Sequence, residues 1–337
     1  MKQPFKGEMH LLYASNDAYV PYLAASVCSL CEHNKQEKSI TFHIMSLGIN
    51  EENRSKLSDM IHGYGRELAI YEMGDISKKV HFSLDTMGFD ISSLARLFIG
   101  SALPESIERV LYLDCDTIVL DSLNDLFATD LDGYLLGAVG EPTVTKSRKA
   151  FLGMDPASLY INAGVLLFNL DLWRKENAEK AVLDYYASKG GALTAVDQDA
   201  INGAFEGRIK ELSPRYNYGS IEIYYPYKTL KKISAPVPYI TEECYNAAKQ
   251  KPAIIHFLGE ERPWRAGSTH PFTPEYDKYL ALTPWKGIPK EQGWKGYFFC
   301  FRIFNAVTKP IPILRYKIID ALIPAFMRYR ARQRKKN

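Results

Sequence analysis

Short apolar runs alternate with amphipathic stretches along most of the chain. Apolar runs bounded by turn residues predict strands, whereas apolar positions that recur every three or four residues predict helices. The predicted strands cover residues 10–14, 40–47, 68–73, 109–113, 134–139, 165–168 and 253–257. The predicted helices cover residues 20–33 and 172–186, and a third begins after the capping residue Asn50.

Strands and helices alternate through the first 115 residues, which predicts an α/β fold built on a mostly parallel sheet with flanking helices. In such sheets, ligands bind beyond the carboxyl ends of the strands. Residues 14–19, 114–116 and 256–259 each follow a predicted strand. We therefore expect these three segments to form one site at that edge.

The stretch RVLYLDCDTIVLDSL ends an apolar strand on two carboxylates, Asp114 and Asp116. Residues i and i+2 of a strand point to the same side, so both side chains can face one spot. Two adjacent carboxylates repel each other, and a divalent cation removes that cost. Carboxylate oxygens suit Mg²⁺ or Mn²⁺, which keep coordination sites open for substrate phosphates. The pattern thus predicts a metal bridge to a diphosphate.

Composition is typical of a soluble globular protein, with 46% hydrophobic and 24% charged residues among 337. The five cysteines are odd in number and scattered along the chain. This arrangement is more typical of free thiols in a reducing cytosol than of a disulfide framework. The predicted localisation is therefore cytoplasmic.

Charge is unevenly distributed, since residues 295–337 carry a net +10 and residues 1–294 carry −7. An acidic body disfavours nucleic-acid binding. In the basic segment, Leu314, Ile318, Leu322 and Phe326 recur every four residues, which predicts an amphipathic helix. We expect residues 1–285 to form the main domain and residues 286–337 a helical, basic tail.

Two interpretations of this tail remain. In the first, its aromatic and basic residues attach the protein peripherally to the anionic inner face of the cell membrane. In the second, a helix packs on the body and is followed by a solvated end. The mixture of aromatic and basic residues favours the first.

Several segments, taken together, resemble glycosyltransferase family 8, the retaining enzymes that use nucleotide sugars. The match runs over about residues 9–285 and includes, in order, LLYASNDAYVPYL, LARLFIGSALP, the Asp-Cys-Asp of residues 114–116, INAGVLLFNLDLW, VDQDAINGAF and IIHFLGEERPW. The resemblance implies a GT-A fold with a Rossmann-like, mostly parallel central sheet. It also implies a metal-dependent hexosyltransferase that uses UDP-galactose or UDP-glucose, with a saccharide or lipid-linked glycan of the cell envelope, such as lipopolysaccharide, as acceptor.

Roles for individual residues follow from the same resemblance. Asp114, Asp116 and His256 would hold Mn²⁺ or Mg²⁺. Gly259 would allow backbone N–H groups to approach phosphate oxygens. Arg262 stands at the family's lysine position and keeps the positive charge there.

The nucleotide and the donor sugar would contact two further groups of residues. Tyr19 would stack on the base, and the Asn16 amide oxygen would accept the uracil N3–H. The other residues that would bind the donor are Ala14, Cys115, Arg96, Asn162, Ala163, Gly164, Asp197 and Gln198. Glu141 lies near the position where the family has an aspartate that contacts the acceptor.

The implied catalytic residues are Arg96, Asp197 and Gln198. Retention at the anomeric carbon requires either two displacements or attack from the side of the leaving group. The Gln198 amide is a poor nucleophile, and Asp197 is expected to accept hydrogen bonds from sugar hydroxyls. We therefore favour front-side attack, with the departing diphosphate deprotonating the acceptor.

Two alternatives remain open. The sequence LDCDT also fits the D-x-D-x-T of haloacid-dehalogenase phosphatases, but that motif normally follows the first core strand. A non-catalytic protein that binds sugar nucleotides would keep the pocket without turnover. Hydrolysis of an aryl phosphate and metal-dependent release of UDP would separate these functions.

Overall fold

The protein folds around one large sheet, as seen in a computed structural model that describes residues 7–334, with backbone alone for residue 324 and residues 326–334. The strands are β1 Met9–Ser15, β2 Ile40–Ser46, β3 Glu67–Glu72, β4 Arg109–Leu113, β5 Thr117–Val119, β6 Leu136–Gly140, β7 Ile161–Asn169, β8 Ile209–Leu212 and β9 Ile254–His256. The helices are α1 Val20–His33, α2 Glu51–Gly63, α3 Ile99–Ala102, α4 Asn124–Phe127, α5 Lys146–Leu152, α6 Leu170–Lys175, α7 Ala178–Ser188, α8 Val196–Ala204, α9 Ser220–Tyr224, α10 Tyr227–Ser234, α11 Glu242–Gln250, α12 Thr273–Leu280, α13 Lys295–Thr308 and α14 Pro312–Arg334.

Seven strands form the sheet in the order β3-β2-β1-β4-β7-β6-β8. The pairs β1–β2, β2–β3, β1–β4 and β6–β8 are parallel, whereas β7 is antiparallel to both β4 and β6. The prediction of a mostly parallel α/β sheet is therefore confirmed. The reversed strand β7 carries the residues 162–164 past the end of β4.

Both faces of the sheet are buried, as a parallel sheet requires. Side chains alternate between the two faces along β1: Leu12 and Ala14 join one core cluster, and Leu11 and Tyr13 join the other. Helix α1 covers the second face. Because both faces are covered, a ligand can reach the sheet at the ends of its strands.

Strand β9 departs from the prediction. It does not join the large sheet but pairs with β5 in a two-stranded antiparallel ribbon, in which Thr117 faces His256. Because β5 follows Asp116 directly, this ribbon brings His256 beside the two aspartates. The three-residue strand β5 is too short to give a pattern in the sequence.

The helix predicted over residues 172–186 is two helices, α6 and α7, that meet at Asn177. The backbone of Asn177 is left-handed, with φ +52°. Asparagine adopts this conformation more readily than most residues, so the chain can turn there without a glycine. The apolar spacing on either side continued across the break and hid it.

The C-terminal segment forms helices α13 and α14. No helix among the described residues has the length and apolarity needed to cross a membrane. Large apolar side chains on both helices are exposed, including Phe299, Ile303, Val307 and Leu314, and so is Ile311 between the helices. Of the predicted amphipathic positions, Leu314 and Leu322 are exposed, Ile318 is half-buried, and the side chain of Phe326 lies outside the described residues.

Glu222, in α9, is a buried carboxyl that should make stability depend on pH. Its side chain is 3% exposed and accepts a hydrogen bond from the backbone N–H of Gly219. Burial raises its pKa from 4.5 to about 7. The folded state therefore binds this proton more tightly than the unfolded chain does.

The Glu222→Gln variant should lose less stability than the wild type between pH 5 and pH 8. The raised pKa means that the stabilising contribution is fully present below about pH 4.5 and is lost as pH rises through about 7. The wild type should lose up to ~3 kcal/mol relative to the variant over this range. Urea unfolding of both proteins at pH 5 and pH 8 measures the difference, and parallel pH profiles would contradict it.

Candidate functional site

Asp114 and Asp116 follow β4 in a turn that the neighbouring strands hold in place. The Asp114 N–H donates to the carbonyl of Gly164 on β7 at 2.9 Å, and the Phe257 N–H, just after β9, donates to the carbonyl of Asp116 at 2.9 Å. Burial disfavours the ionised form of Asp116, but Arg262 and His256 outweigh that effect and hold its pKa well below the usual range. Asp116 is therefore a carboxylate.

His256 completes the cluster. Its Nε2 lies 3.2 Å from Asp116 Oδ1 and 3.7 Å from Asp114 Oδ2. Its Nδ1 lies 2.8 Å from Asn217 Oδ1, while Asn217 Nδ2 donates to Asn162 Oδ1 at 2.9 Å. Because the Asn217 oxygen can only accept, Nδ1 of His256 donates to it, and this contact turns Nε2 towards the two carboxylates.

Asn217→Ala should weaken metal binding without removing a ligand. The variant loses the acceptor that fixes the imidazole tautomer, and losses of this kind cost about 10–100-fold in metal affinity. Titration of the folded protein with Mn²⁺ measures the change. Asn34→Ala is the matched control, since Asn34 is also buried, its oxygen accepts from the Leu123 N–H, and it does not line the cleft that contains the cluster. Equal affinities for wild type and Asn217→Ala would show that the tautomer is set in another way.

The cluster has the chemistry and the space for a divalent cation. The ligand atoms of Asp114, Asp116 and His256 all lie within 4.8 Å of one another. Gly164 lies against them: a Cβ there would come within 2.1 Å of His256 Cε1 and 2.9 Å of Asp114 Oδ2. Any larger residue at position 164 would displace the ligands, so the glycine of the N-A-G-V segment is a requirement of this geometry.

Arg96 joins the cluster of Asp114, Asp116 and His256 to Asp197, the carboxylate predicted to contact the sugar. Its guanidinium lies 2.7 Å from Asp114 Oδ1 and 3.1 Å from Asp197 Oδ2, and it also donates to the carbonyl of Ala163. Burial alone would lower the pKa of Arg96, but Asp114 and Asp197 raise it. Burial raises the pKa of Asp197 to about 6, although Arg96 opposes this shift.

Gln198 is held from both ends of its amide. Its Oε1 accepts from the Ala163 N–H at 3.1 Å, and its Nε2 donates to Glu141 at 3.0 Å and to the Tyr160 hydroxyl at 3.3 Å. The residue just before Asp197, Val196, has φ +45°, a strained conformation for a β-branched residue. Because Val196 is the first residue of α8, this strained backbone lies directly before Asp197 and Gln198.

Asp199, two residues beyond Asp197, has a structural role. Its carboxylate accepts hydrogen bonds from Nε and Nη2 of Arg148, at 3.0 Å and 2.8 Å, and from the Ala195 N–H and the Tyr160 hydroxyl. This fixes Arg148 on the wall of the cleft. Arg148 belongs to no motif that sequence reasoning identified.

Arg262 lies beside Asp116, whereas Arg96 lies beside Asp114. The guanidinium of Arg262 pairs with Asp116, and its centre lies 5.3 Å from the ring centroid of Trp264. Gly259, three residues earlier, has φ +71°, which few other residues adopt without strain. The loop that carries Arg262 therefore depends on glycine for its turn.

The predicted nucleotide loop is only partly in the cleft. Ala14, Tyr19 and Cys115 line it, and the Cys115 thiol donates to the carbonyl of Ala14 at 3.3 Å. Asn16 is not among the described lining residues. Its amide oxygen instead accepts from the Tyr19 N–H at 3.1 Å and caps the turn that presents Tyr19.

One cleft of about 590 Å³ is lined by all the predicted site residues except Asn16. They are Ala14, Tyr19, Arg96, Asp114, Cys115, Asp116, Glu141, Asn162, Ala163, Gly164, Asp197, Gln198, His256, Gly259 and Arg262. Sequence reasoning missed Asn217, which orients His256, and Ile319 and Ile323 of α14, which reach the same cleft. Neither Asn217 nor the two isoleucines belong to a motif, so no local signal could have identified them.

The chain is also similar in sequence to known proteins. The sequence profile "Glycosyl transferase family 8" matches residues 10–267. General stress protein A of Bacillus subtilis is 27% identical over 283 residues, which are 83% of this chain and 96% of that protein. A lipopolysaccharide 1,2-glucosyltransferase of Escherichia coli is 25% identical, over 81% of this chain and 78% of its own length.

A solved structure has the same fold. The galactosyltransferase LgtC, in complex with donor and acceptor sugar analogs, superposes with a TM-score of 0.70 at 26% identity, and the match covers 86% of this chain and 99% of that one. The fold class is therefore GT-A, and the phosphatase alternative is wrong. The family profile spans well over half of the chain and includes both the paired aspartates and the histidine. This chain belongs to glycosyl transferase family 8.

Proposed function

We propose that this protein transfers a hexose, galactose or glucose, from a UDP-sugar to a hydroxyl of a saccharide or lipid-linked glycan, with retention at the anomeric carbon. The observation that carries the proposal is the cluster of Asp114, Asp116 and His256, with ligand atoms within 4.8 Å of one another. It opens into the same cleft as Asp197 and Gln198. The relatives named above, a glucosyltransferase and a galactosyltransferase, support a hexose as the group transferred.

Asp114, Asp116 and His256 would hold Mn²⁺ or Mg²⁺. Two carboxylates favour either ion, and the imidazole shifts the preference towards Mn²⁺. When bound, the cation would neutralise charge on the diphosphate of the donor.

Arg262 provides a permanent positive charge at the diphosphate end of the cleft. Burial alone would lower its pKa, but Asp116 raises it, so the guanidinium stays charged. A fixed cation at this point stabilises the negative charge that grows on the leaving UDP. Tyr19, on the adjacent wall, presents a ring on which the uracil base can stack.

The environments of Asp197 and Gln198 support front-side attack. Asp197 is ion-paired with Arg96, and its side chain is 9% exposed. Both ends of the Gln198 amide make hydrogen bonds, and an amide oxygen is a weak nucleophile. In our mechanism these residues orient the sugar, while the acceptor hydroxyl attacks from the side of the departing UDP and transfers its proton to a diphosphate oxygen.

The protein would act in the cytoplasm, attached peripherally to the inner face of the membrane. The exposed apolar side chains of α13 and α14 support this, and so do the cations of the C-terminal segment. The full chain should sediment with vesicles that contain phosphatidylglycerol but not with pure phosphatidylcholine vesicles. Raised salt should weaken the binding, and equal binding to both vesicle types would contradict the proposal.

A panel of UDP-sugars, incubated with Mn²⁺ and without acceptor, tests the activity. We expect UDP release from UDP-galactose or UDP-glucose, abolished by a chelator and restored by Mn²⁺. A chelator-independent rate, or binding of UDP-sugars without release of UDP under any condition, would contradict the proposal. The second outcome would indicate a non-catalytic binding protein.

A further inference from the structure

Part of the cleft is closed by a helix that the family profile does not reach. The profile ends at residue 267, whereas Ile319 and Ile323 of α14 line the same cleft as Asp114 and Gln198. A second groove, of about 180 Å³, runs beside it under the same helix. The two cavities share Thr143, Ser220, Ile221, Ile319 and Ile323, so the cleft continues along α14.

One face of α14 forms this wall. Tyr316, Ile319, Asp320 and Ile323 line the second groove, and their spacing of three, four and seven residues places them on one side of a helix. Leu322, the neighbour of Ile323, does not line either cavity and is 58% exposed. Leu322 therefore provides a matched position on the same helix outside the wall.

Helix α14 packs against the loop that carries Glu261 and Arg262. Arg315, only 4% exposed, holds its guanidinium 4.2 Å from the ring centroid of Tyr224. The Tyr224 hydroxyl in turn donates to the buried carboxylate of Glu261, at 2.7 Å to either oxygen. Glu261 directly precedes Arg262, so α14 packs against the loop that reaches the diphosphate end of the cleft.

The lining of the cleft is polar around Gln198 and aliphatic beside α14. Around Gln198, the lining includes Glu141 and Arg148, which suit the hydroxyls of a sugar. Farther along, Ile221, Ile319 and Ile323 present aliphatic surface. A purely polar glycan would leave that surface in contact with water, whereas an apolar group next to the acceptor sugar would bury it.

We propose that α14 forms an acceptor subsite for an amphiphilic glycoside. In this subsite the sugar hydroxyl lies near Gln198 and an alkyl or isoprenoid aglycone contacts Ile221, Ile319 and Ile323. The inference rests on the proposed glycosyl transfer and specifies its acceptor class. It concerns the cleft itself and not the outer, membrane-directed face of α13 and α14.

Paired acceptors test the inference. The methyl and octyl glycosides of one acceptor sugar, chosen from a panel of hexosides, are compared below the micellar concentration and without vesicles. We expect the KM for the octyl glycoside to be about tenfold lower, which corresponds to burying two methylenes. The Ile319→Ser/Ile323→Ser double variant should bring the KM ratio of the two glycosides close to one.

Two controls separate the subsite from general damage. Leu322→Ser should keep the wild-type ratio, and Ile319→Val/Ile323→Val should retain most of it. A wild-type ratio near one, an unchanged ratio in the double serine variant, or an equal change in Leu322→Ser would overturn the inference. UDP release with no aglycone preference would overturn the subsite alone, whereas the absence of UDP release from every donor would overturn the proposed function and the subsite with it.

Discussion

Gly164→Ala is expected to abolish transfer. The new Cβ would lie 2.1 Å from His256 Cε1 and 2.6 Å from its Nδ1, so either the imidazole or strand β7 must move by more than 1 Å. Displacements of that size at a reaction centre cost about 10²-fold or more in rate. Since the imidazole is also a proposed metal ligand, Mn²⁺ affinity should fall as well. Steady-state UDP release and Mn²⁺ titration measure the two effects.

Gly63→Ala is the control for this substitution. Gly63 ends α2, and a Cβ there would meet no atom within 4 Å. This variant should match the wild type in activity and in thermal midpoint. Wild-type activity in Gly164→Ala would mean that His256 does not need its present position, and the proposed ligand set would then be wrong.

Arg96→Leu should cause the largest loss of stability among the substitutions considered. It leaves Asp197 buried without its cation and removes the partner of Asp114 at 2.7 Å. Removal of one member of a buried ion pair costs about 3–5 kcal/mol of unfolding free energy. Transfer should be lost as well, because Arg96 positions both carboxylates. Urea unfolding and UDP release at a temperature where the variant is folded measure these effects.

The control is a salt bridge at the surface. Arg208 and Glu176 lie 2.8 Å apart, but their side chains are 41% and 38% exposed. Solvent screens such pairs, so Arg208→Leu should change the unfolding free energy little. If both arginine variants lost equal stability, the ion pairs of Arg96 would not be the cause of its effect.

The parts of the fold that depend on local pattern were predictable. Helix α1 and strand β4 begin and end where the apolar spacing predicted, because one buried face or run dictates each of them. The two aspartates were identified because carboxylates rarely follow a buried strand without a compensating charge. His256 required the family resemblance, since a single histidine after a strand has no distinguishing pattern.

The parts that depend on long-range contacts were not predictable. The ribbon of β5 and β9 pairs residues far apart in sequence, and each of its strands has only three residues. Asn217 orients His256 from a loop without a motif. Arg315 makes a cation–π contact with Tyr224, and this contact helps to hold α14 beside the cleft. The two residues lie far apart in the sequence and share no motif.

The amide oxygen of Asn16 has a structural role that we did not predict. We predicted that its amide oxygen would accept from uracil. In the structure that oxygen accepts from the Tyr19 N–H and caps the turn before α1. The contact of Asn16 with the base remains a prediction, and its observed contribution is to position Tyr19.

The most direct test of the proposed metal centre is calorimetric titration of Mn²⁺, in the presence of UDP, into the wild type and Asp116→Asn. The asparagine retains the size of the side chain but removes the charge that Arg262 and His256 now face. We predict one bound ion per wild-type chain and an affinity at least about tenfold lower in the variant, at a temperature where circular dichroism shows that both proteins are folded. Equal Mn²⁺ affinity in the two folded proteins would contradict the proposed metal centre.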